Sequence, residues 1–206
     1  MAAWLRRGEV MARNVECRPF DAARFREVLE KARSLSLEPP ERFVPGLTTL
    51  CAPAGVVTIF VRELPKARVS AITRWLAPDK ALVQLSLRFR TDDHLWFSFF
   101  HEAGHVLLHG RQAFIEEDEG NGQAEEEAHR FARDFLIPPR EYERLKTRHS
   151  FDETTICEFA RLLSIAPGIV VGRLQHDGLL PWRSGLNTLK RRLAWAATTG
   201  GRDRRA

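Results

Sequence analysis

A histidine pair with a glutamate directly after its first member constrains the fold of this chain more than any other feature. His101 and His105 stand four positions apart, and the residues on either side, Trp96 to Phe100 and Val106 to Leu108, are mostly apolar. This pattern predicts a long, buried helix. Side chains four positions apart share one helix face, so the two imidazoles can bind one Zn²⁺ ion.

The glutamate gives this motif the parts of a reaction centre. Glu102 follows the first histidine, so its carboxylate is directed beside the ion. There it can take a proton from metal-bound water and later return it to a leaving amine. The structural alternative is a pair of satisfied core histidines with a salt-bridged Glu102. We favour the metal site, because unpaired charges in a buried helix are costly.

A catalytic zinc ion takes three protein ligands and keeps one position open, so a third ligand is needed. The next predicted helix starts near Gln123 and ends before Pro138. Counting back from the apolar core face of that helix places Glu125 inward. Glu126 and Glu127 are predicted to be flanking or solvated.

Two further histidines lie close to these candidates in the sequence. His129 follows Glu125 by one helical turn, and two interpretations stay open: it orients His101 or Glu125 through a hydrogen bond, or it is half buried. His109 continues the spacing of the motif, but three ligands on one straight helix would span about 12 Å, too far to converge on one ion. We expect His109 to interact with the helix C-terminus near Gly110.

The order of the local patterns predicts an α+β fold. Runs rich in β-branched and aromatic residues at 56–61, 71–76 and 81–87 predict a sheet of about three strands. One helical pattern begins before the sheet, near Asp21, and the motif helix follows it from Thr91. The C-terminal half is predicted to be mostly helical, with helices at about 140–147, 152–163, 167–176 and 185–195.

Composition and charge exclude some classes of protein. The 206 residues, 44% hydrophobic and 29% charged, are typical of a soluble protein, and no apolar run approaches the ~20 residues that cross a bilayer. The start lacks the apolar segment of a secretory signal, so we expect a cytoplasmic protein. The three cysteines form no Cys-x-x-Cys pair and are expected to be reduced. The net charge of +5 permits nucleic-acid binding, but we favour a solubilising role for the basic C-terminal tail.

These residues resemble the ImmA/IrrE family of metallo-endopeptidases. The run from Trp96 to Gly110 is similar to the motif helix of that family. The run from Glu125 to Pro138 is similar to its second signature, Glu-x-x-Ala-Asn/Asp-x-Phe-Ala with a Leu-Ile/Met-Pro end. The resemblance implies that Glu125 is the third zinc ligand. It also places His129 where the family has Asn or Asp.

The resemblance covers roughly residues 20–195, and with it we predict that the small sheet packs against a zincin-type helix. It includes the run from Gly168 to Gln175, which is similar to the region after the peptidase core in members fused to Xre- or HigA-type antitoxin repressors. Such members carry an N-terminal helix-turn-helix, for which this chain has too few residues ahead of the peptidase region. We therefore predict the peptidase part alone, as a stand-alone protein or one partner of a split module.

Four segments are predicted along the chain. Residues 1–18, which show no clear period and include a second candidate start at Met11, are predicted to be a loosely ordered leader. Residues 19–150 are predicted to form a zincin-like metallopeptidase domain, and residues 151–195 a helical extension packed on its core. Residues 196–206 are predicted to be a disordered basic tail.

The resemblance implies a zinc-dependent endopeptidase that hydrolyses a peptide bond in a protein partner. The expected partner is a DNA-binding repressor, for example of the Xre type, in a mobile element, a toxin–antitoxin module or a stress response. We expect the strand at 81–87 to be an edge strand that holds the substrate extended. No residue is assigned to stabilise the oxyanion: Tyr142 and His149 are candidates, but we favour a surface or packing role for each.

A transcriptional regulator or antitoxin component with a structural or vestigial zinc site is the alternative. It rests on residues 152–178, where two short helices could form a helix-turn-helix with Arg173 and Gln175 facing DNA. We favour a plain helical hairpin covering the sheet, because a helical pair with few basic residues is weak evidence for DNA binding. DNA binding is thus admitted but not favoured, and no membrane partner is expected.

Overall fold

The computed structural model describes residues 2–64, 69–110, 121–148 and 150–195. Within these ranges the chain has the predicted α+β fold, and no single helix there is long and apolar enough to cross a membrane. The predicted tail at 196–206 lies outside the described residues. The helices are α1 (Ala2–Arg13), α2 (Ala22–Ser34), α3 (Pro40–Cys51), α4 (Asp92–Leu108), α5 (Asn121–Leu136), α6 (Pro139–Lys146), α7 (Glu153–Leu163) and α8 (Pro167–His176). The strands are β1 (Val56–Phe60), β2 (Ala71–Ala77) and β3 (Lys80–Leu85).

The three strands form one mixed sheet in the order β1-β3-β2. Strand β3 pairs in parallel with β1 and antiparallel with β2, so that Val83 lies opposite both Thr58 and Thr73. The prediction that residues 81–87 form an edge strand is therefore wrong, because β3 has a neighbour on each side. Its buried run from Ala81 to Leu85 is typical of a central strand. Within the described ranges, the sheet ends at β1 on one side and at β2 on the other.

The N-terminal residues are not a loose leader but form helix α1, which covers one face of the sheet. Trp4 is buried, its indole Nε1 donates to the carbonyl of Val61 at 3.2 Å, and its own carbonyl accepts from Gln84 at 2.8 Å. Gly8 lets the helix lie close, since a Cβ there would stand 1.8 Å from the Gln84 side chain. The sheet has two apolar faces, and α4 covers only one of them, so the second face needs its own cover.

Helices α7 and α8 meet at 111°, but α8 is buried against α4 rather than exposed. Gln175 is buried, and its side-chain oxygen accepts a hydrogen bond from Lys190 at 2.7 Å. Arg173 lies over the ring of Tyr142 and pairs with Asp177 at 2.7 Å. The two residues expected to face DNA are therefore engaged inside the protein. Helix α8 of the pair packs against the motif helix and α7 packs against α8, and neither has one of its main contacts with the sheet.

The last predicted helix, at 185–195, is only partly formed. A 3₁₀ turn at Gly185–Leu189 is followed by extended chain, in which Arg192 forms a β-bridge with Thr91. In this extended segment Lys190 pairs with Asp93 at 2.6 Å, with both side chains buried. This ion pair and the bridge fix the segment to the N-terminal end of α4, which explains why the helix does not continue.

Candidate metal centre

Helices α4 and α5 bring three side chains with metal-binding chemistry to one point. The Nε2 atoms of His101 and His105, one turn apart on α4, lie 3.0 Å from each other. The carboxylate of Glu125 on α5 lies 3.2 Å from the first of these nitrogens and 3.3 Å from the second. The three donor atoms all lie within 4.8 Å of one another. This arrangement can hold one metal ion.

A close crossing of the two helices places Glu125 next to the histidines. Gly104 lies between His101 and His105 on α4 and faces α5. A Cβ at this position would be 3.2 Å from the Cα of Ala128 and 3.1 Å from the ring of Phe131. These contacts are tighter than a Cβ normally makes, so the close approach of the two backbones favours glycine here.

Burial keeps both histidines in the form that binds a metal. Together with the neighbouring histidines, burial lowers the pKa of His101 to about 3 and the pKa of His105 to about 4. Both imidazoles are therefore neutral at pH 7 and offer a lone pair. Two neutral imidazoles and one carboxylate are a ligand set that suits a catalytic zinc ion with an open fourth position.

Glu102 is buried beside these ligands, next to β2. Thr73 of β2 donates its hydroxyl proton to the main-chain carbonyl of Glu102 at 3.0 Å, and Trp75 donates its indole N–H to the carbonyl of Gly110. These two bonds attach β2 to the motif helix. Burial raises the pKa of Glu102 to about 7, while hydrogen bonding by Thr73 opposes the shift. The carboxyl group is thus suited to accept and return a proton near neutral pH.

His129 lies beside both of its predicted partners but forms a different bond. Its Nδ1–H donates to the main-chain carbonyl of Glu125 at 2.7 Å, and its ring stands edge-on to His101 with the centroids 4.5 Å apart. It makes no hydrogen bond to the outer nitrogen of His101: that Nδ1 is buried and has no hydrogen-bond partner within the described residues.

His109 and Glu127 reach the site, although the sequence predicted neither there. The Nδ1 of His109 lies 3.1 Å from the Nδ1 of His105, and the Nε2 of His109 lies 3.1 Å from Glu127 Oε2. Gln123 donates to the other oxygen of Glu127 at 3.0 Å. The main-chain N–H of His109 makes the ordinary helical hydrogen bond to the carbonyl of His105, whereas among the described residues its side chain contacts His105 and Glu127 and not the helix C-terminus near Gly110. The repeated spacing of four from His101 was the signal for this contact.

The two oxyanion candidates are not brought to the ligands by the described structure. Tyr142 is buried, and the guanidinium of Arg173 lies 4.0 Å from the centre of its ring. It therefore packs between α6 and α8. His149 lies outside the described residues.

The residues of the candidate metal centre lie in a segment that matches a known peptidase family. The model of the peptidase family described as the IrrE N-terminal-like domain matches residues 66–175, which is more than half of the chain and includes both α4 and α5. No curated protein matches the chain. The family supports a metallopeptidase-type function, as the three donor atoms do. From its sequence match and its site, the chain belongs to the family of IrrE N-terminal-like peptidases.

Proposed function

We propose that this chain is a zinc-dependent metallo-endopeptidase that hydrolyses a peptide bond in a protein partner. The convergence of His101, His105 and Glu125, with Glu102 buried alongside, carries the proposal. A bound zinc ion would supply a Lewis acid for the scissile carbonyl and would lower the pKa of a water molecule. The three side chains would hold the ion, and three protein ligands are the number typical of a catalytic zinc site.

Glu102 would move the protons of the reaction. It directly follows a candidate ligand and lies in the same buried region, so its carboxylate can receive a proton from the attacking water. It would then deliver that proton to the leaving amine, which makes the amine a better leaving group. The bond from Thr73 holds this turn of α4 against β2.

Strand β2 is the element best placed to hold an extended substrate. It lies at the sheet edge within the described ranges, whereas β3 is central. Thr73 and Trp75 attach it to the helix that carries the candidate ligands. A peptide added along this edge would form main-chain hydrogen bonds and would pass close to Glu102.

The proposed substrate class is a cytoplasmic DNA-binding repressor, for example of the Xre type. The resemblance of the sequence to the ImmA/IrrE family supports this class of substrate. Cleavage of such a repressor would relieve repression in a mobile element, a toxin–antitoxin module or a stress response.

The test combines metal analysis with a matched pair of variants. We expect the purified protein to hold about one zinc ion per chain, and we expect Glu102→Gln to keep that zinc while cleavage of a candidate repressor falls by about 100-fold or more. Glu126→Gln, an exposed glutamate on α5, is the control and should cleave normally. Absence of bound metal, or unchanged cleavage by Glu102→Gln, would refute the proposal. Bound zinc without cleavage of any repressor would favour the regulator alternative.

A further inference from the structure

We infer that His109 and Glu127 are positioning residues that hold His105 with the lone pair of its Nε2 atom directed at the metal. The inference rests on the proposed function in one respect: it takes His105 as a metal ligand. Neither residue would touch the ion or the substrate. They would act through the ring of His105.

The hydrogen-bond chain has only one consistent direction. If His105 Nε2 binds a metal, its neutral ring carries the proton on Nδ1, and that N–H must donate to His109 Nδ1 at 3.1 Å. His109 then carries its own proton on Nε2. That proton is donated to Glu127 Oε2, also at 3.1 Å. Each ring thus has one donor and one acceptor, and each is satisfied by its neighbour.

Because His105 and His109 are buried, the direction of these hydrogen bonds decides which nitrogen of His105 is free to bind a metal. The side chains of His105 and His109 are only 5% and 8% exposed, so water cannot easily replace a missing partner. Without His109, the His105 ring could take the other tautomer, with a proton on Nε2 where the metal should bind. The carboxylate of Glu127 at the far end favours the required direction, because it can only accept. Hydrogen bonding of a ligating histidine to a further group is known to orient the ring and to raise its basicity.

His101 offers a contrast within the same site. Its Nε2 also faces the metal position, but its Nδ1 has no hydrogen-bond partner within the described residues. The relay of His109 and Glu127 therefore orients one of the two histidines and not the other. Its loss should weaken the hold on the metal rather than abolish the site.

Zinc affinity of the metal-free protein, measured by competition with a chromogenic chelator, tests the relay without any substrate. Glu127→Ala and Glu126→Ala remove the same charge from adjacent positions of α5, but only Glu127 contacts His109. We expect Glu127→Ala and His109→Phe to bind zinc about 10- to 100-fold more weakly than the unaltered chain. Glu126→Ala should bind normally. His109→Asn keeps an acceptor near the Nδ1 position and should recover part of the loss.

The tautomer of His105 gives a second readout that a purely structural role would not change. Long-range ¹H–¹⁵N spectra of the metal-free chain should show His105 with its proton on Nδ1, and His109→Phe should shift it toward a mixture of tautomers. A proton on Nε2 of His105 in the unaltered chain, or equal zinc affinity of Glu127→Ala and Glu126→Ala, would overturn the relay. If the unaltered chain binds no zinc, the proposed function fails, while the tautomer still decides the relay.

Discussion

The two histidines of the candidate metal centre differ in what surrounds their outer nitrogens. The Nδ1 of His105 is tied to His109, whereas the Nδ1 of His101 is buried without a hydrogen-bond partner in the described part of the chain. A buried N–H without an acceptor costs about 1–3 kcal/mol. His129 stands next to this nitrogen but uses its own Nδ1–H on a main-chain carbonyl. Among the described residues, the site therefore lacks a hydrogen-bond acceptor for the Nδ1–H of His101.

Replacing His129 by Asn or Asp should strengthen metal binding. Either shorter side chain offers an oxygen that can accept the buried Nδ1–H of His101, and the family pattern has these residues here. We expect zinc affinity to rise by about tenfold, more for Asp than for Asn because of its charge. The measurement is chelator competition on the metal-free chain. His129→Ala, which brings no acceptor, should give no gain; an equal gain from Ala would show that removal of the ring is the cause.

Asp92, at the start of α4, should make stability depend on pH. Burial and the adjacent Asp93 raise the pKa of Asp92 to about 6 in the folded chain. A carboxyl group whose pKa is raised by folding contributes stability below its pKa in the unfolded chain. That contribution is lost as the pH rises through its pKa in the folded chain. Asp92→Asn keeps the Oδ1 acceptor for the main-chain N–H groups of Asp93 and Arg191 without the charge.

The variant should therefore gain stability relative to the unaltered chain as the pH rises. From about pH 5 to about pH 7.5, the difference in the free energy of unfolding between the variant and the unaltered chain should increase by about 1 kcal/mol. Urea unfolding of both proteins at the two pH values measures it. A gain that shrinks with rising pH would contradict the assignment.

The crossing of α4 and α5 sets the geometry of the metal centre. Two of its donors come from one helix and the third from the other, so their separation depends on how closely the backbones approach at Gly104. Protein interiors are closely packed and change shape little. An extra group inserted at such a contact therefore forces the helices apart.

Gly104→Ala should lower both stability and metal affinity. The added Cβ would meet the Cα of Ala128, which belongs to backbone and cannot turn aside. We expect the free energy of unfolding to fall by about 1–2 kcal/mol, and we expect zinc affinity to fall as Glu125 moves away. Gly122→Ala in α5 is the matched control, because a Cβ there meets nothing within 4 Å. It should be neutral or stabilise by up to about 1 kcal/mol, because alanine favours the helix more than glycine does; a similar loss in both variants would show that the close contact at Gly104 is not the cause.

Local patterns predicted single helices and strands better than their arrangement. The ends of α4 were predictable because Thr91 and Gly110 mark them, and the inward position of Glu125 followed from the phase of α5 alone. The order of the strands was not predictable, because the pattern of one strand does not say which strand lies beside it. The contact of His109 with Glu127 depends on the angle at which α5 crosses α4, and no local pattern encodes that angle.

Helix α1 could have been predicted but was missed. Trp4, Gly8 and Ala12 recur every four residues and are all buried, but a glycine among them conceals the apolar face. The sheet also needed a cover on its second side, which was an independent reason to expect a helix there.

The protein as one body is built around a sheet that is covered on both faces. Helix α4 and its candidate metal centre lie on one side, and α1 lies on the other. Strand β2 is held between them, because Arg74 pairs with Glu9 of α1 while Thr73 contacts α4. Metal binding should therefore respond to changes on the α4 face of the sheet and little to changes on the α1 face, whereas stability should respond to both.

Trp4→Ala should separate these two properties. Trp4 is 1% exposed, and its loss should lower the free energy of unfolding by about 3 kcal/mol. Zinc affinity of the folded protein should stay nearly unchanged, since the side chain lies on the face opposite α4. Denaturant unfolding and chelator titration measure the two quantities. Trp182→Ala, at a tryptophan that is 61% exposed, is the control and should change neither; a large fall in metal affinity of Trp4→Ala would show that the two faces are coupled.

Within the described ranges β2 has no strand along its outer edge, and this allows substrate binding to be measured without cleavage. An edge strand shares alternate main-chain groups with its neighbour, so about half of its amides have no partner in the sheet. Such amides exchange their hydrogen for deuterium quickly, and a peptide laid along the strand would protect them. In a Glu102→Gln variant, which should hold a substrate without consuming it, slowed deuterium uptake within residues 71–77 would report where the partner lies.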